Sequence, residues 1–403
     1  MTEGRRLTMG KYGLLGAHLE YSYSPEIHSK FGDYQYDLIE IPEEKLKEVV
    51  NSPEYDGFNV TIPYKRSVIT LCDEVSSEAL RIGAVNTIVK ENGLKKGYNT
   101  DYFGFCYMLK RNNIELKGKK CMVLGNGGAS AMIQTVMKDQ GASEIVVVSR
   151  HGEDNYDNLD RHFDSEIIVN ATPVGMYPNN GVSLVNVDDF PNLSGAVDLI
   201  YNPNKTKFIL DATTRGIPAC GGLSMLVAQA EKSSELFQHR VIDDEEIDAA
   251  IYDIRSELLN VVLIGMPGAG KTFLGRRIAE REHRKFIDLD DLIVEREGMS
   301  IPEIFRTKGE DYFRNVETEV LRETCKMSGV VIACGGGIVK RKQNYNLAKQ
   351  NSRIIWVKRD LDKLDTEGRP ISQTKSVEEI YEARKDLYEA WSDYFIDNNQ
   401  DFN

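Results

Sequence analysis

Two glycine-rich loops of different design stand in this chain, Gly125-Asn126-Gly127-Gly128-Ala129 and Gly265-Met266-Pro267-Gly268-Ala269-Gly270-Lys271-Thr272, each directly after an apolar run. Glycines between a strand and a helix let the backbone approach a phosphate, whose charge the helix N-terminus favours. The second loop adds Lys271, which would neutralise charge at the β/γ bridge of a triphosphate, and Thr272, whose hydroxyl would ligate Mg2+. The first loop has no such lysine. A dinucleotide site followed by an ATP site is the chemistry this pairing implies. At the end of the strand after the first loop, an NAD site would place an acid on the ribose 2′-hydroxyl, and this chain has Ser149-Arg150 instead. Arginine there suits a 2′-phosphate, hence NADP. Glu153 and Asp154 follow closely and would repel that phosphate unless they point away, so NAD remains the alternative.

The elements that must position these loops are legible as hydrophobic runs. Tyr12 to Leu15, Tyr36 to Ile41 and Phe58 to Ile62 alternate with polar or helical stretches, the pattern of an α/β unit. Asn92-Gly93, between Ala84 to Val89 and Leu94 to Tyr98, predicts a hairpin at the edge of that unit's sheet. From Lys120 a regular series follows: Cys121 to Leu124, a helix ending at Gly141, then Ile145 to Val148, Ile167 to Val169 and Ala196 to Ile200. That series predicts a doubly wound nucleotide domain. Helices are expected over Leu223 to Phe237 and Asp243 to Leu259, the second with an acidic first turn that suits the helix dipole. A third α/β series begins at Val261 with no Gly/Ser/Pro linker before it, so a helix should run straight into a strand.

Composition narrows the partners. The chain has 403 residues and a net charge of −13, which argues against a nucleic-acid or anionic-membrane surface. Small soluble substrates fit better. Cys72, Cys106, Cys121, Cys220, Cys325 and Cys334 show no paired spacing, as expected of reduced thiols in the cytoplasm. No apolar run approaches the roughly 18 residues of a membrane helix, and the oligomeric state stays open.

Further residues carry a resemblance. Tyr21-Ser22-Tyr23-Ser24-Pro25, Phe58-Asn59-Val60-Thr61-Ile62-Pro63-Tyr64-Lys65, Gly83-Ala84-Val85-Asn86-Thr87, Asn99-Thr100-Asp101, Asn170-Ala171-Thr172 and Gly222 to Ala230 occur in that order. With them the chain from about Tyr12 to Ile254 resembles shikimate dehydrogenase, which reduces 3-dehydroshikimate with NADPH. Ser22, Ser24, Asn59, Thr61, Asn86 and Gln229 are short hydrogen-bonding side chains suited to a carboxylate and ring hydroxyls. The resemblance implies that Lys65 and Asp101 carry proton transfer, that Tyr201 touches the substrate, and that Leu199 and Gly222 meet the nicotinamide. Gly125 to Ala129, Ser149, Arg150 and Thr172 would complete the cofactor site.

The second part resembles shikimate kinase over about Val261 to Asn398, through Phe286 to Asp291, Gly298 to Phe305, Gly309-Glu310 with Phe313-Arg314, Gly335-Gly336-Gly337, Gly368-Arg369-Pro370 and Arg384 with Leu387-Tyr388. The resemblance implies that Asp288 holds Mg2+ through water and that Asp290 orients the acceptor hydroxyl. Arg314 and Arg384 would clamp the shikimate carboxylate, Gly336 would let the backbone approach the ring, and Arg369 would act from a lid. Pro267, Gly268, Ala269, Gly270, Lys271 and Thr272 would wrap the ATP phosphates. The stretch from Trp356 to Arg369 is shorter than that family usually has, and the family's final helix is not expected before Asn403. Cys334 reads as a small buried residue. The expected architecture is α/β throughout: a substrate-binding domain over 1–100 completed by about 223–258, a Rossmann-like NADP domain over 101–222, and a P-loop, NMP-kinase-like domain over 260–403. Two alternatives stand beside this reading: a quinate or shikimate dehydrogenase using NAD with a weak or inactive kinase half, and a shikimate-binding regulatory protein. Intact Lys65, Asp101, Lys271, Asp288 and Asp290 argue against the second.

Overall fold

Sixteen short strands build three separate sheets in a computed structural model that describes residues 10–20, 22–364 and 376–399. The first sheet contains β1 (Lys11–Gly16), β2 (Gln35–Glu40), β3 (Gly57–Val60), β4 (Glu74–Val75), β5 (Thr87–Glu91) and β6 (Leu94–Tyr98) in the order β2-β1-β3-β5-β6-β4. Asn92 and Gly93 turn the hairpin with φ of 53° and 79°. Two consecutive positive φ values match the right-handed twist of the flanking strands, which is why Asn-Gly is favoured there. The hairpin is not at the sheet edge as expected. The two-residue β4 pairs in parallel with β6 and covers it, and two residues are too few to show any alternation in sequence. β3 also stops at Val60, short of Ile62, because Tyr64 N–H donates to the Thr61 carbonyl and turns the chain.

The second sheet is entirely parallel: β7 (Lys120–Leu124), β8 (Glu144–Val148), β9 (Ile167–Asn170), β10 (Gly195–Asp198) and β11 (Ala219–Cys220), ordered β11-β10-β9-β7-β8. β10 ends at Asp198 and not at Ile200, since the Asp198 carboxylate accepts from Ile200 N–H at 3.0 Å and Asn170 Nδ2 at 3.1 Å. The third sheet is β12 (Asn260–Ile264), β13 (Phe286–Asp288), β14 (Val331–Ala333), β15 (Ser352–Lys358) and β16 (Tyr394–Asp397), ordered β13-β14-β12-β15-β16 and again parallel. Its central strand, β12, is buried along its whole length. Helices covering both faces of a parallel sheet produce such continuous apolar strands in place of alternation. One residue, Leu259, separates the helix Asp244–Leu258 from β12, as the absence of a linker implies.

Two compact units result. The first comprises Met1–Val174, Leu184–Tyr201 and Asp211–Ile254, and the second Gly175–Ser183, Asn202–Leu210 and Arg255–Asn403. Among the described residues no helix is long and apolar enough to cross a membrane.

In the first unit the helices Thr100–Arg111 and Leu223–Gln238 pack closely, because Gly104 leaves room for the Met225 carbonyl; a Cβ there would approach it to 2.6 Å. The second of these helices carries a costly group. Glu231 is fully buried, and neither carboxylate oxygen has a hydrogen-bond partner. Burial, helped by the like charge of Glu235, pushes its carboxyl up to about 8. A carboxyl raised in the folded state stabilises fully below its unfolded pKa, and that contribution is lost as pH rises toward 8. The loss approaches about 1.4 kcal/mol per pH unit between the two values. Glu231→Gln should therefore be near neutral at about pH 5 and raise the melting temperature increasingly up to about pH 9. Thermal unfolding across that range checks this; a pH-independent difference would contradict a buried neutral acid.

Candidate active sites

A cavity of about 810 Å³ in the first unit gathers residues from seven separate stretches of chain. All nine side chains expected to meet substrate in the first unit line it: Ser22, Ser24, Asn59, Thr61, Lys65, Asn86, Asp101, Tyr201 and Gln229. Ala129, Leu199 and Gly222, from the cofactor set, line it as well. Lys65 Nζ donates to Asp101 Oδ2 at 2.5 Å, and both side chains keep partial exposure to the cavity. The lysine is set by its backbone, whose carbonyl accepts from Val85 N–H at 2.8 Å. Asp101 sits in the first turn of the helix Thr100–Arg111, which Asn99 caps by accepting from Tyr102 N–H.

The amide side chains are fixed by neighbours before any substrate arrives. Asn86 Oδ1 accepts from Thr100 N–H at 2.7 Å. Asn59 Nδ2 donates to Ser233 Oγ at 2.8 Å and Thr87 Oγ1 at 3.0 Å, while Tyr36 OH donates to Asn59 Oδ1 at 2.7 Å. His28, which sequence reasoning missed, also lines the cavity. It lies one helical turn after Ser24, stacks on Tyr36 at 4.0 Å and hydrogen-bonds Tyr34 OH through Nδ1 at 2.6 Å. Burial pushes its imidazole down to about 3, so it adds no charge to the cavity near neutral pH. Burial likewise raises the Tyr201 phenol, which enters as a neutral hydroxyl.

The dinucleotide loop occupies the C-terminal ends of β7, β8 and β9, where open parallel sheets bind ligands. Gly125 has φ of +105° and lies where a Cβ would meet Thr172 Cγ2 at 2.8 Å, so a tight turn against Thr172 requires it. Gly127 and Gly128 face open space: a Cβ at either would meet nothing within 4 Å. The helix Ser130–Asp139 that follows has no side-chain cap, and its first amide, Ser130 N–H, donates to the Gly127 carbonyl at 3.0 Å, folding the loop onto the helix N-terminus. Asn126, between Gly125 and Gly127, is exposed. Gly222 is required sterically, since a side chain there would collide with the Leu199 carbonyl. Ser149 is buried and Arg150 exposed. The Asp154 carboxylate accepts from His162 Nε2 at 2.8 Å and its carbonyl from Ser149 N–H at 3.0 Å.

In the second unit a cavity of about 630 Å³ brings together Gly268, Gly270, Lys271, Thr272, Asp288, Asp290 and Gly336. Lys271 is buried and donates to the Gly265 carbonyl at 3.1 Å and the Met266 carbonyl at 2.9 Å, which folds it over the loop. Thr272 Oγ1 donates to Asp288 Oδ2 at 2.7 Å, so two oxygens suited to a hard cation already converge. Asp288 Oδ1 caps the helix Leu289–Glu297 by accepting from Asp290 N–H at 3.0 Å. Pro267 packs on Gly336, where a Cβ would approach its ring to 2.6 Å, and Ala269 is buried.

Arg314 and Arg384 do not line this cavity; both are buried against the Gly335–Gly337 turn. Arg384 Nη1 donates to the Gly336 carbonyl at 3.0 Å, and a side chain at Gly337 would collide with Arg314. Arg314 Nη1 donates to Glu317 Oε2 at 2.7 Å. Glu317 escaped sequence reasoning, although its place three residues after Arg314 on one helix was a usable signal. Burial raises its carboxyl despite the arginine. Burial also drives the Cys334 thiol well above its ordinary range, in keeping with a small inert residue. Arg369 and Tyr21 lie outside the described residues.

A parallel sheet with an uncapped glycine loop beside a polar, lysine-containing cavity, followed by a P-loop sheet, defines a nucleotide-dependent oxidoreductase joined to a phosphotransferase. A family model for the shikimate dehydrogenase substrate binding domain matches residues 14–88, and one for shikimate kinase matches residues 267–402. The shikimate dehydrogenase (NADP+) of Clostridium beijerinckii is 38% identical over 262 residues, 60% of this chain and 97% of that protein. The chain belongs to the shikimate dehydrogenase family and carries a shikimate kinase domain fused behind it. Among solved structures, the chorismate mutase/shikimate 5-dehydrogenase fusion protein of Clostridium acetobutylicum is 40% identical with a TM-score of 0.59, covering 62% of this chain and 97% of that one. Shikimate 5-dehydrogenase from Thermus thermophilus, solved with NADP(H) and shikimate, is 30% identical with a TM-score of 0.56, covering 61% of this chain and 99% of that one.

Proposed function

We propose that residues 1–258 reduce 3-dehydroshikimate to shikimate with NADPH, and that residues 260–403 phosphorylate shikimate to shikimate 3-phosphate with ATP and Mg2+. The observation that carries this reading is the convergence of seven hydrogen-bonding side chains on one cavity around the Lys65–Asp101 pair. Lys65 Nζ gives a proton to the ketone oxygen as it becomes an alcohol, and Asp101 holds the ammonium in place. Ser22, Ser24 and Tyr201 offer hydroxyls to the carboxylate, while Asn59, Thr61, Asn86 and Gln229 meet the ring oxygens. When bound, NADPH would supply the hydride; Gly125 to Ala129 and Thr172 would hold it, and Leu199 and Gly222 would meet the nicotinamide. In the kinase, Asp290 orients the acceptor hydroxyl and takes its proton. The resemblance gives the carboxylate to Arg314 and Arg384, although both are buried against the Gly335–Gly337 turn and neither lines the cavity; Lys271 neutralises the β/γ bridge. Thr272 and Asp288 would hold Mg2+, which spreads phosphate charge when bound. Arg369 would stabilise charge on the transferring phosphoryl group.

The pairing of Asp154 with His162 supports NADPH over NADH, because it engages one of the two acids that would otherwise repel the 2′-phosphate that Arg150 would meet. A charged hydrogen bond of about 1.5–3 kcal/mol corresponds to roughly tenfold to a hundredfold in kcat/KM. Initial rates with each cofactor should show at least that preference for NADPH, and His162→Ala should narrow it. Equal rates with the native protein would favour the NAD alternative.

A further inference from the structure

Arg359, directly after β15, has no role in the reading above, yet it lines the cavity that holds Gly268, Gly270, Lys271 and Thr272. It also borders a neighbouring cavity of about 520 Å³ lined by Met266, Trp356 and Tyr381. A Cβ built at Gly270 would lie 3.9 Å from Arg359 Nη1, so the guanidinium reaches the end of the glycine loop just before Lys271. Its Nε is buried without a hydrogen-bond partner. No carboxylate among the described residues lies within ion-pair distance of it. A guanidinium N–H buried without an acceptor is unfavourable, and an anion in the adjoining cavity would relieve it.

The backbone around Arg359 is held in one frame with the glycine loop. Asn398 N–H donates to the Lys358 carbonyl at 2.8 Å, and Asn398 Nδ2 donates to the Ala269 carbonyl at 2.8 Å. Asp360 N–H donates to Asn399 Oδ1 at 2.8 Å, and Asn399 Nδ2 returns a bond to Asp360 Oδ1 at 2.9 Å. The adjacent cation is used differently: Lys358 Nζ lies over the rings of Trp356 and Phe395, at 4.2 Å and 4.0 Å from their centroids. Each cavity carries three aspartates, Asp288, Asp290 and Asp291 in the first and Asp360, Asp362 and Asp397 in the second. Only the first also holds Gly268, Gly270 and Lys271, so a phosphate is favoured on the Gly270 side of Arg359.

We propose that Arg359 is a phosphate-binding residue of the kinase, a second cation beside Lys271 on the phosphate chain of the nucleotide. The inference rests on the kinase reading given above. Its planar donors would meet phosphate oxygens in pairs, which lysine cannot do. Calorimetry on the full chain with Mg·ADP and with inorganic tripolyphosphate tests it, alongside steady-state phosphorylation of shikimate. Arg359→Ala should weaken both ligands roughly tenfold to a hundredfold and raise KM for ATP, with KM for shikimate unchanged. Arg359→Lys should recover part of the loss, as should guanidinium added to the alanine variant. Weakened ADP with unchanged tripolyphosphate would overturn the proposal by assigning Arg359 to the base. Unchanged affinity for both would overturn it outright, and so would a loss shared equally with shikimate and with the melting temperature. A native chain that binds neither probe would contradict the kinase reading itself, and this inference with it.

Discussion

Replacing Lys65 by alanine should lower kcat for 3-dehydroshikimate reduction by about 10²–10⁴-fold, the usual contribution of a positioned general acid. The ammonium is the cationic group on the cavity wall that can reach both Asp101, at 2.5 Å, and a bound ketone. Without it the developing alkoxide has no adjacent proton source, and Asp101 is left as an unpaired carboxylate facing it. Substrate affinity should fall far less than kcat, because Ser22, Ser24, Asn59, Thr61, Asn86, Tyr201 and Gln229 remain around the same cavity. Phosphorylation of added shikimate by the same variant should run at the native rate. Steady-state kinetics of both reactions on one preparation checks the pair of claims. A Lys65→Ala protein that still reduced the ketone near the native rate would remove Lys65 from proton transfer.

The reverse pattern is expected for Lys271→Ala. Its ammonium is held against the Gly265 and Met266 carbonyls, poised over the loop that would wrap the triphosphate. Loss of one electrostatic donor at a transferring phosphoryl group costs about 10²–10³-fold in kcat, with weaker ATP binding in addition. Ketone reduction should be untouched. Since Lys271 is buried, its removal also strips two carbonyls of a donor, so the melting temperature is measured beside the rates. Loss of both activities in either variant with the fold intact would contradict two separate catalytic sites.

The two loops were legible from sequence because a glycine between a strand and a helix has a local reason to be there. Asn92-Gly93 was legible because a two-residue hairpin turn needs positive φ, and the positive φ at both residues bears it out. What decided the hairpin's place was a two-residue strand, too short to leave a pattern. The substrate side chains were a different problem. Ser22 and Gln229 are far apart in sequence, and no spacing rule joins them; resemblance grouped them, and the fold brings them to one cavity through the β1–β3 loops and the helix Leu223–Gln238. Residues that act on other residues stayed hidden. His28 matters through Tyr36, and Asn398 through the Ala269 carbonyl. Glu153 and Asp154 posed a question the sequence could not answer, because a carboxylate's direction depends on its partner. For Asp154 that partner is His162.

The central claim is that one chain makes shikimate and then phosphorylates it. It is tested most directly by giving the purified protein 3-dehydroshikimate, NADPH, ATP and Mg2+, with no shikimate added, and following NADPH and ADP together. The expected result is NADPH loss followed by ADP formation approaching one ADP per NADPH consumed, with no ADP formed when NADPH is left out. NADPH loss without ADP would contradict the kinase half, and loss of neither would contradict the account as a whole.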